Sequence, residues 1–326
     1  MAAVDLIPQR LLSHARTRPA APAYFTRVSG RWQSTSWSVF VDECRAAARA
    51  LMALGFPAGG KIAILGYNKP EWVIAYHAAM LAGGAAAGVY TTSSPDDVAH
   101  IVLHSEAALV VVETRAQYEK VPASTKTIVT MRGAETIDDP RVLPWKQFLA
   151  KGALTTDTDL DARIAALAAG DVATLIYTSG TTGPPKGVML SHASLAWSAR
   201  VFVDLGKGTD RDTGLSYLPL SHIAEQMATI HLPTTIGAPV YYCESIDKVR
   251  ANVPEVRPTV FFGVPRVWEK FHAALVGRFA ALPAVRQQLV AWTRGVCTQV
   301  NAHRMRGESP SLALSARNTP SRSAWC

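Results

Sequence analysis

Ala173-Thr174-Leu175-Ile176-Tyr177-Thr178-Ser179-Gly180-Thr181-Thr182-Gly183-Pro184-Pro185-Lys186-Gly187 runs from a short apolar strand straight into a loop of backbone amides, hydroxyls, turn formers and one ammonium. Residues 173–177 read as a strand buried on both faces, which places the loop at the end of a covered sheet. Gly180, Gly183 and Gly187 let the backbone approach an anion closely, and Thr178, Ser179, Thr181 and Thr182 supply hydroxyl donors. Lys186 adds the mobile positive charge that a polyphosphate requires. A Walker A loop is excluded, because counting from Gly180 puts Pro185 where the second glycine belongs, and Gly187 follows the lysine. A plain Gly/Pro turn needs neither the repeated hydroxyls nor the lysine.

Outward from this loop, apolar strand runs alternate with helical periodicity. Toward the N-terminus, residues 6–16 read as a helix, 31–38 as strand material and 38–54 as a helix closed by Gly55. Residues 61–65 form a strand, followed by the turn Gly66-Tyr67-Asn68-Lys69-Pro70 and a helix from Glu71. Strands near 86–90, 109–113 and 128–131 and a helix over 95–105 continue the pattern, and strands are expected again at 188–190, 213–218, 238–242 and 259–263. Helices fall near 191–203, 223–236, 245–253, 265–279 and 285–304. Such alternation predicts an α/β fold of doubly wound sheets flanked by helices. Residues 133–170 are polar and weakly periodic and read as a boundary or surface connection. The expected organisation is an N-terminal α/β subdomain over 1–170, a second carrying the loop over 171–285, and a helix with a disordered tail over 286–326.

Bulk properties narrow the function classes. The 326 residues, 48% hydrophobic, are enough for two cores, and the first ten carry Asp5 and Arg10 with no apolar run of signal-peptide type. The apolar stretch 78–89 is too short to span a bilayer. Cys44, Cys243, Cys297 and Cys326 are widely spaced, which argues against a disulfide framework or zinc site and for a reducing, cytoplasmic setting. The net charge of +8 is localised, since residues 250–326 hold 11 Lys/Arg against 3 Asp/Glu. A basic end could meet nucleic acid or an anionic membrane surface, but without interleaved aromatics or a binding motif it reads as a solvated helix face plus an irregular tail.

The segment 177–187 resembles the signature of the adenylate-forming (AMP-binding) enzymes. Ser216-Tyr217-Leu218-Pro219-Leu220-Ser221-His222-Ile223 is similar to the family's second core motif. Gly263-Val264-Pro265-Arg266-Val267-Trp268-Glu269-Lys270 looks like a segment of long-chain acyl-CoA synthetases, narrowing the resemblance to the bubblegum-like long-chain fatty acid-CoA ligases. It covers residues 37–307, including Asn68-Lys69-Pro70-Glu71-Trp72. It implies the fold of the large N-terminal domain of these enzymes and ATP-dependent activation of fatty acids. A fatty carboxylate attacks the α-phosphate of ATP, expelling pyrophosphate, and CoA then displaces AMP. By the same resemblance, Thr178, Ser179, Gly180, Thr181, Thr182, Gly183 and Gly187 cradle phosphates. Thr181, or its neighbour Thr182, helps place Mg²⁺, and Lys186 neutralises the departing pyrophosphate.

His222 sits beside the substrate carboxylate in the resembling motif, although an isolated histidine at this position would read as a helix cap. Glu225 shares its face yet has no further ligand set and reads as a residue behind His222. His100 and His104, spaced i,i+4, read as packing or surface residues, and Tyr241, Tyr242, Phe261 and Phe262, which could border an acyl tunnel, read as core filling. The implied cofactors are ATP, Mg²⁺ and CoA, with fatty acid as the further substrate. The resemblance implies no nucleic-acid partner, and a peripheral membrane contact would follow from the lipid substrate alone. In the family, an aromatic-Gly-x-Thr-Glu motif, a Thr-Gly-Asp motif and a mobile C-terminal domain, on which CoA use depends, come after the segments matched here. The sequence therefore reads as a truncated chain in which ligase activity is impaired or lost. The rival reading is a non-catalytic ATP-binding or interaction remnant.

Overall fold

A computed structural model describes residues 5–178 and 183–311. Ser179, Gly180, Thr181, Thr182 and the tail beyond 311 lie outside the described residues. The chain divides into two compact units, Met1–Phe261 and Phe262–Cys326.

In the first unit the strands are β1 (Pro22–Val28), β2 (Arg31–Ser36), β3 (Lys61–Leu65), β4 (Ala85–Val89), β5 (Ala107–Val112), β6 (Ile128–Thr130), β7 (Val142–Pro144), β8 (Val172–Thr178), β9 (Lys186–Ser191), β10 (Gly214–Ser216) and β11 (Val240–Tyr242). Among the described residues they make two sheets: a seven-stranded one in the order β7-β6-β5-β3-β4-β8-β9 and a four-stranded one in the order β10-β11-β1-β2. Every pairing in the larger sheet is parallel except β8 with β9, and in the smaller every pairing is parallel except β1 with β2.

The larger sheet is covered on both faces, and its strands alternate between two cores. Ile62, Ile64, Ala86, Leu109, Val111 and Ala173 belong to one cluster, whereas Ala63, Leu65, Ala85, Ala87, Val110, Val112, Leu175 and Tyr177 belong to the other. The helix Pro70–Leu81 lies in the first cluster with every residue buried. Its sequence has no polar stripe, so it is stable only where other elements surround it. Trp72 and Tyr76 stack along it at 5.6 Å, and the helix Trp37–Ala53 lies in the same cluster through Trp37, Phe40 and Cys44.

The parallel arrangement carries the carboxyl ends of β3, β4, β5 and β8 to one edge of the sheet. On β4, Gly88 is required by a close approach: a Cβ there would lie 2.7 Å from Ser221 Cα and 3.1 Å from the Trp72 ring. The segment leading to His222 is thus seated directly on β4.

Several boundaries differ from the sequence reading. Residues 133–170 hold β7 and the helices Trp145–Lys151 and Asp157–Ala165, anchored by buried Trp145, Phe148, Leu160 and Ile164. Thr156 caps the second of these helices through a reciprocal pair with Asp159. The strand expected over 259–263 is reduced to one bridge, Gly214 with Val260. The helix expected over 223–236 has a π-helical turn at Met227–His231. Pro265 opens the helix Pro265–Ala280 in the second unit, at the position where proline costs no hydrogen bond.

Gly88→Ala should push Ser221 off β4 and lower stability by about 2 kcal/mol, because the nearest atom is backbone that cannot rotate aside. Urea denaturation checks this, and an unchanged midpoint would contradict the packing account.

Candidate functional site

The loop flanks form the outer hairpin of the larger sheet, with Thr178 opposite Lys186 and Tyr177 opposite Gly187. Thr178 and Lys186 are both exposed at the open end of this pair. Gly183 has φ +93°, a left-handed conformation that favours glycine, and a Cβ at Gly187 would lie 3.0 Å from the Tyr177 ring. Of the residues expected to bind phosphate, Thr178, Gly183, Lys186 and Gly187 are therefore brought to one hairpin end. Ser179, Gly180, Thr181 and Thr182, including the expected Mg²⁺ residue Thr181, lie outside the described residues.

The helix Pro95–His104 braces this hairpin. His104 Nδ1 lies 2.9 Å from the Tyr177 hydroxyl, and His100 Nε2 lies 2.9 Å from the carbonyl oxygen of Pro185. The two imidazoles stack at 5.2 Å. These histidines pack, as their i,i+4 spacing suggests, but what they pack against is the loop. Nothing local in the sequence points to that contact, since His104 and Tyr177 are 73 residues apart.

His222 is exposed and caps the short helix Ile223–Gln226, with Nδ1 accepting the Ala224 N–H at 3.1 Å. The cap fixes the ring and leaves Nε2 as the nitrogen outside it. Behind His222, two side chains of the next turn hold the segment 216–222. Glu225 Oε1 accepts from Thr229 Oγ1 (2.7 Å), Ser216 Oγ (3.0 Å), Tyr217 N (3.0 Å) and Asn68 Nδ2 (3.3 Å). Asn68 Nδ2 also reaches Ser216 Oγ and Leu218 O, each at 2.8 Å, joining the turn after β3 to the motif. Gln226 donates to Leu220 O at 2.9 Å, while its Oε1 lies 3.2 Å from the Tyr76 hydroxyl and 3.4 Å from Thr174 Oγ1 on β8. Thr174, Ile176 and Thr178 share one face of β8, so the strand entering the loop and the motif bearing His222 are fastened together.

Asn68 and Gln226 are positioning residues whose role the sequence does not reveal by itself. Glu225 stands behind His222, as expected, and its partners are hydrogen-bond donors. Among the described residues there is no group of three His, Cys, Asp or Glu able to hold a metal ion. Of the aromatics read as core filling, Tyr241 lies on Phe25 at 4.2 Å and Phe261 on Tyr217 at 5.3 Å, whereas Phe262 is exposed.

Burial raises the Glu225 carboxyl from 4.5 to about 7, with its donors pulling in the opposite direction. A raised acid stabilises the fold while it is neutral, and this contribution is lost as pH climbs from 4.5 through about 7. The expected loss is on the order of 3 kcal/mol. Glu225→Gln, uncharged throughout, should gain stability relative to the wild type by that order between about pH 5 and pH 8. Denaturant titrations at both pH values test this, and parallel stability curves would contradict it.

Comparisons with known proteins bear on the family and the fold. The family described as AMP-binding enzyme matches residues 11–310. The long-chain-fatty-acid–CoA ligase ACSBG2 of Xenopus laevis is 35% identical over 88% of this chain and 41% of its own length. Human ACSBG2 is 36% identical over 88% of this chain and 45% of its length. The chain thus spans less than half of the curated relatives it matches. Among solved structures, the inhibitor-bound N-terminal domain of FACL13 from Mycobacterium tuberculosis has a TM-score of 0.67 at 22% identity, covering 81% of this chain and 64% of that one. O-succinylbenzoate CoA synthetase (MenE) from Bacillus subtilis, in complex with AMP, has a TM-score of 0.64 at 21% identity, over 81% and 50%. These two share the fold. With nearly the whole chain matched, the protein belongs to the AMP-binding enzyme family.

Proposed function

We propose that this chain carries the ATP-binding part of a long-chain fatty acid–CoA ligase, which activates its substrate as an acyl-adenylate. The observation that carries the reading is the fastening of two segments at one sheet edge: the hairpin end bearing Thr178 and Lys186, and the motif bearing His222. The names of the ACSBG2 relatives supply the substrate class.

In this reading the fatty carboxylate attacks the α-phosphate of ATP, the bond to the β-phosphate breaks, and pyrophosphate leaves. Such transfers rely on fixed donors and cations around the developing charge more than on covalent help from the protein. Thr178, Ser179, Gly180, Thr181, Thr182, Gly183 and Gly187 hold the β- and γ-phosphates. Lys186 is exposed and therefore able to reach the pyrophosphate as it departs. His222, its ring fixed by the cap, orients the carboxylate nucleophile. Magnesium bound with ATP takes most of its ligands from phosphate oxygens and water, so a hydroxyl-rich loop suits it, and Thr181 is the residue assigned to it. When bound, the ion neutralises phosphate charge. CoA displaces AMP in the second half-reaction, which belongs to the whole ligase.

Pyrophosphate release from ATP, measured with a panel of fatty acids beside direct ATP binding, tests the proposal. Lys186→Ala should lower fatty-acid-dependent release by roughly 100-fold, the loss of about 3 kcal/mol of transition-state stabilisation, and should weaken ATP binding. Equal ATP affinity in wild type and Lys186→Ala would overturn the assignment of the loop. ATP binding without any fatty-acid-dependent release would favour the rival reading of an ATP-binding chain without the ligase step.

A further inference from the structure

The second unit is a pair of helices, Pro265–Ala280 and Ala284–Met305, joined by a tight turn. Two properties coincide at the turn end. Large apolar side chains are exposed there: Leu275 at 49%, Val276 at 41%, Val285 at 78%, Leu289 at 60% and Trp292 at 51%. Val285, Leu289 and Trp292 follow i,i+4,i+7 spacing and form one stripe on the second helix. The charge around them has one sign. From Lys270 to Gly307 the sequence holds six Lys/Arg and no Asp or Glu, and Arg278 and Arg286 bracket the turn. Among the described residues, the ion pairs of this unit, those of Glu308 with His303 and Arg306, lie at the far end of the second helix.

We propose that the turn end of this helical pair, from Leu275 to Trp292, docks peripherally onto an anionic lipid bilayer. The surface asks for a partner that is negatively charged and also offers an apolar phase. A bilayer with acidic headgroups supplies both at the right depth: aliphatic side chains enter the acyl boundary, Trp292 sits at the headgroup level, and the arginines extend back to the phosphates. A nucleic acid would satisfy Arg278 and Arg286 but gives Leu275, Val285 and Leu289 nothing to bury against. A second copy of the surface would bring like charges together. The contact is interfacial, since no described helix is long and apolar enough to cross a membrane.

Co-sedimentation of the full chain with vesicles tests this, using phosphatidylcholine alone or mixed with phosphatidylserine. Binding should be strong on the mixed vesicles, weak on the neutral ones, and released by salt. The double variant Arg278→Gln, Arg286→Gln should bind the mixed vesicles roughly thirtyfold more weakly, at about 1 kcal/mol for each charge lost. Leu289→Ala with Trp292→Ala should weaken binding at least about tenfold. All these positions are exposed, and far-UV circular dichroism confirms that each variant is folded. Equal binding to neutral vesicles, or variants that bind as the wild type does, would overturn the proposal. Displacement of the chain from mixed vesicles by short duplex DNA would also overturn it, reassigning the surface to nucleic acid.

Discussion

Burial of the helix Pro70–Leu81 is the constraint on which the rest of the first unit depends. All its residues, from Pro70 through Trp72, Tyr76 and His77 to Leu81, are removed from water. Each large side chain among them contributes about 1.5–3 kcal/mol when fully buried, but only if other elements cover it on every side. That requirement sets the layering: helices cover both faces of the seven-stranded sheet, and the strands alternate between two apolar cores. The polar tip of Tyr76, deep in this layer, reaches Gln226 and His231, which ties the central helix to the motif at the sheet edge.

The candidate site is accordingly an edge on which distant segments converge. β4 offers a glycine surface to Ser221, β8 passes Thr174 to Gln226, the turn after β3 passes Asn68 to Glu225, and the helix Pro95–His104 holds the far side of the hairpin. The buried carboxyl of Glu225 is the most demanding element of this arrangement. An unpaired buried polar group costs about 1–3 kcal/mol, and more when charged, so four donors converge on one oxygen to hold it. The proposed phosphate role needs donors fixed in advance, and these contacts hold the two loop flanks and the His222 segment in place.

Much of this was legible in the sequence because it depends on local chemistry. The strand leading into Thr178, the glycine-hydroxyl-lysine composition of the loop and the β-α alternation all follow from short-range patterns. The resemblance to adenylate-forming enzymes rests on four such segments, 68–72, 177–187, 216–223 and 263–270, and the family match over residues 11–310 agrees with it. What could not be read depends on contacts made at long range. Residues 133–170 looked like a connection because their helices bury few side chains, chiefly Trp145, Phe148, Leu160 and Ile164, against the core. β1 escaped notice because Tyr24 gains its meaning from pairing with Val240, far along the chain. His100, His104, Asn68 and Gln226 have unremarkable sequence surroundings, and only the fold brings them to the loop and the motif. The strand expected at 259–263 fails for the same reason in reverse: its aromatics suit a strand, but among the described residues its ladder pairing is a single bridge, Gly214 with Val260.

The central claim is that the hairpin around the proposed phosphate loop and the motif bearing His222 form one ligand-responsive edge. Amide hydrogen exchange, with and without ATP and magnesium, measures it most directly. The account predicts that ATP slows exchange in both segments, 172–191 and 214–231, because a ligand held by the first restrains the second through Gln226 and Thr174. Protection confined to one segment, or absent from both, would contradict it.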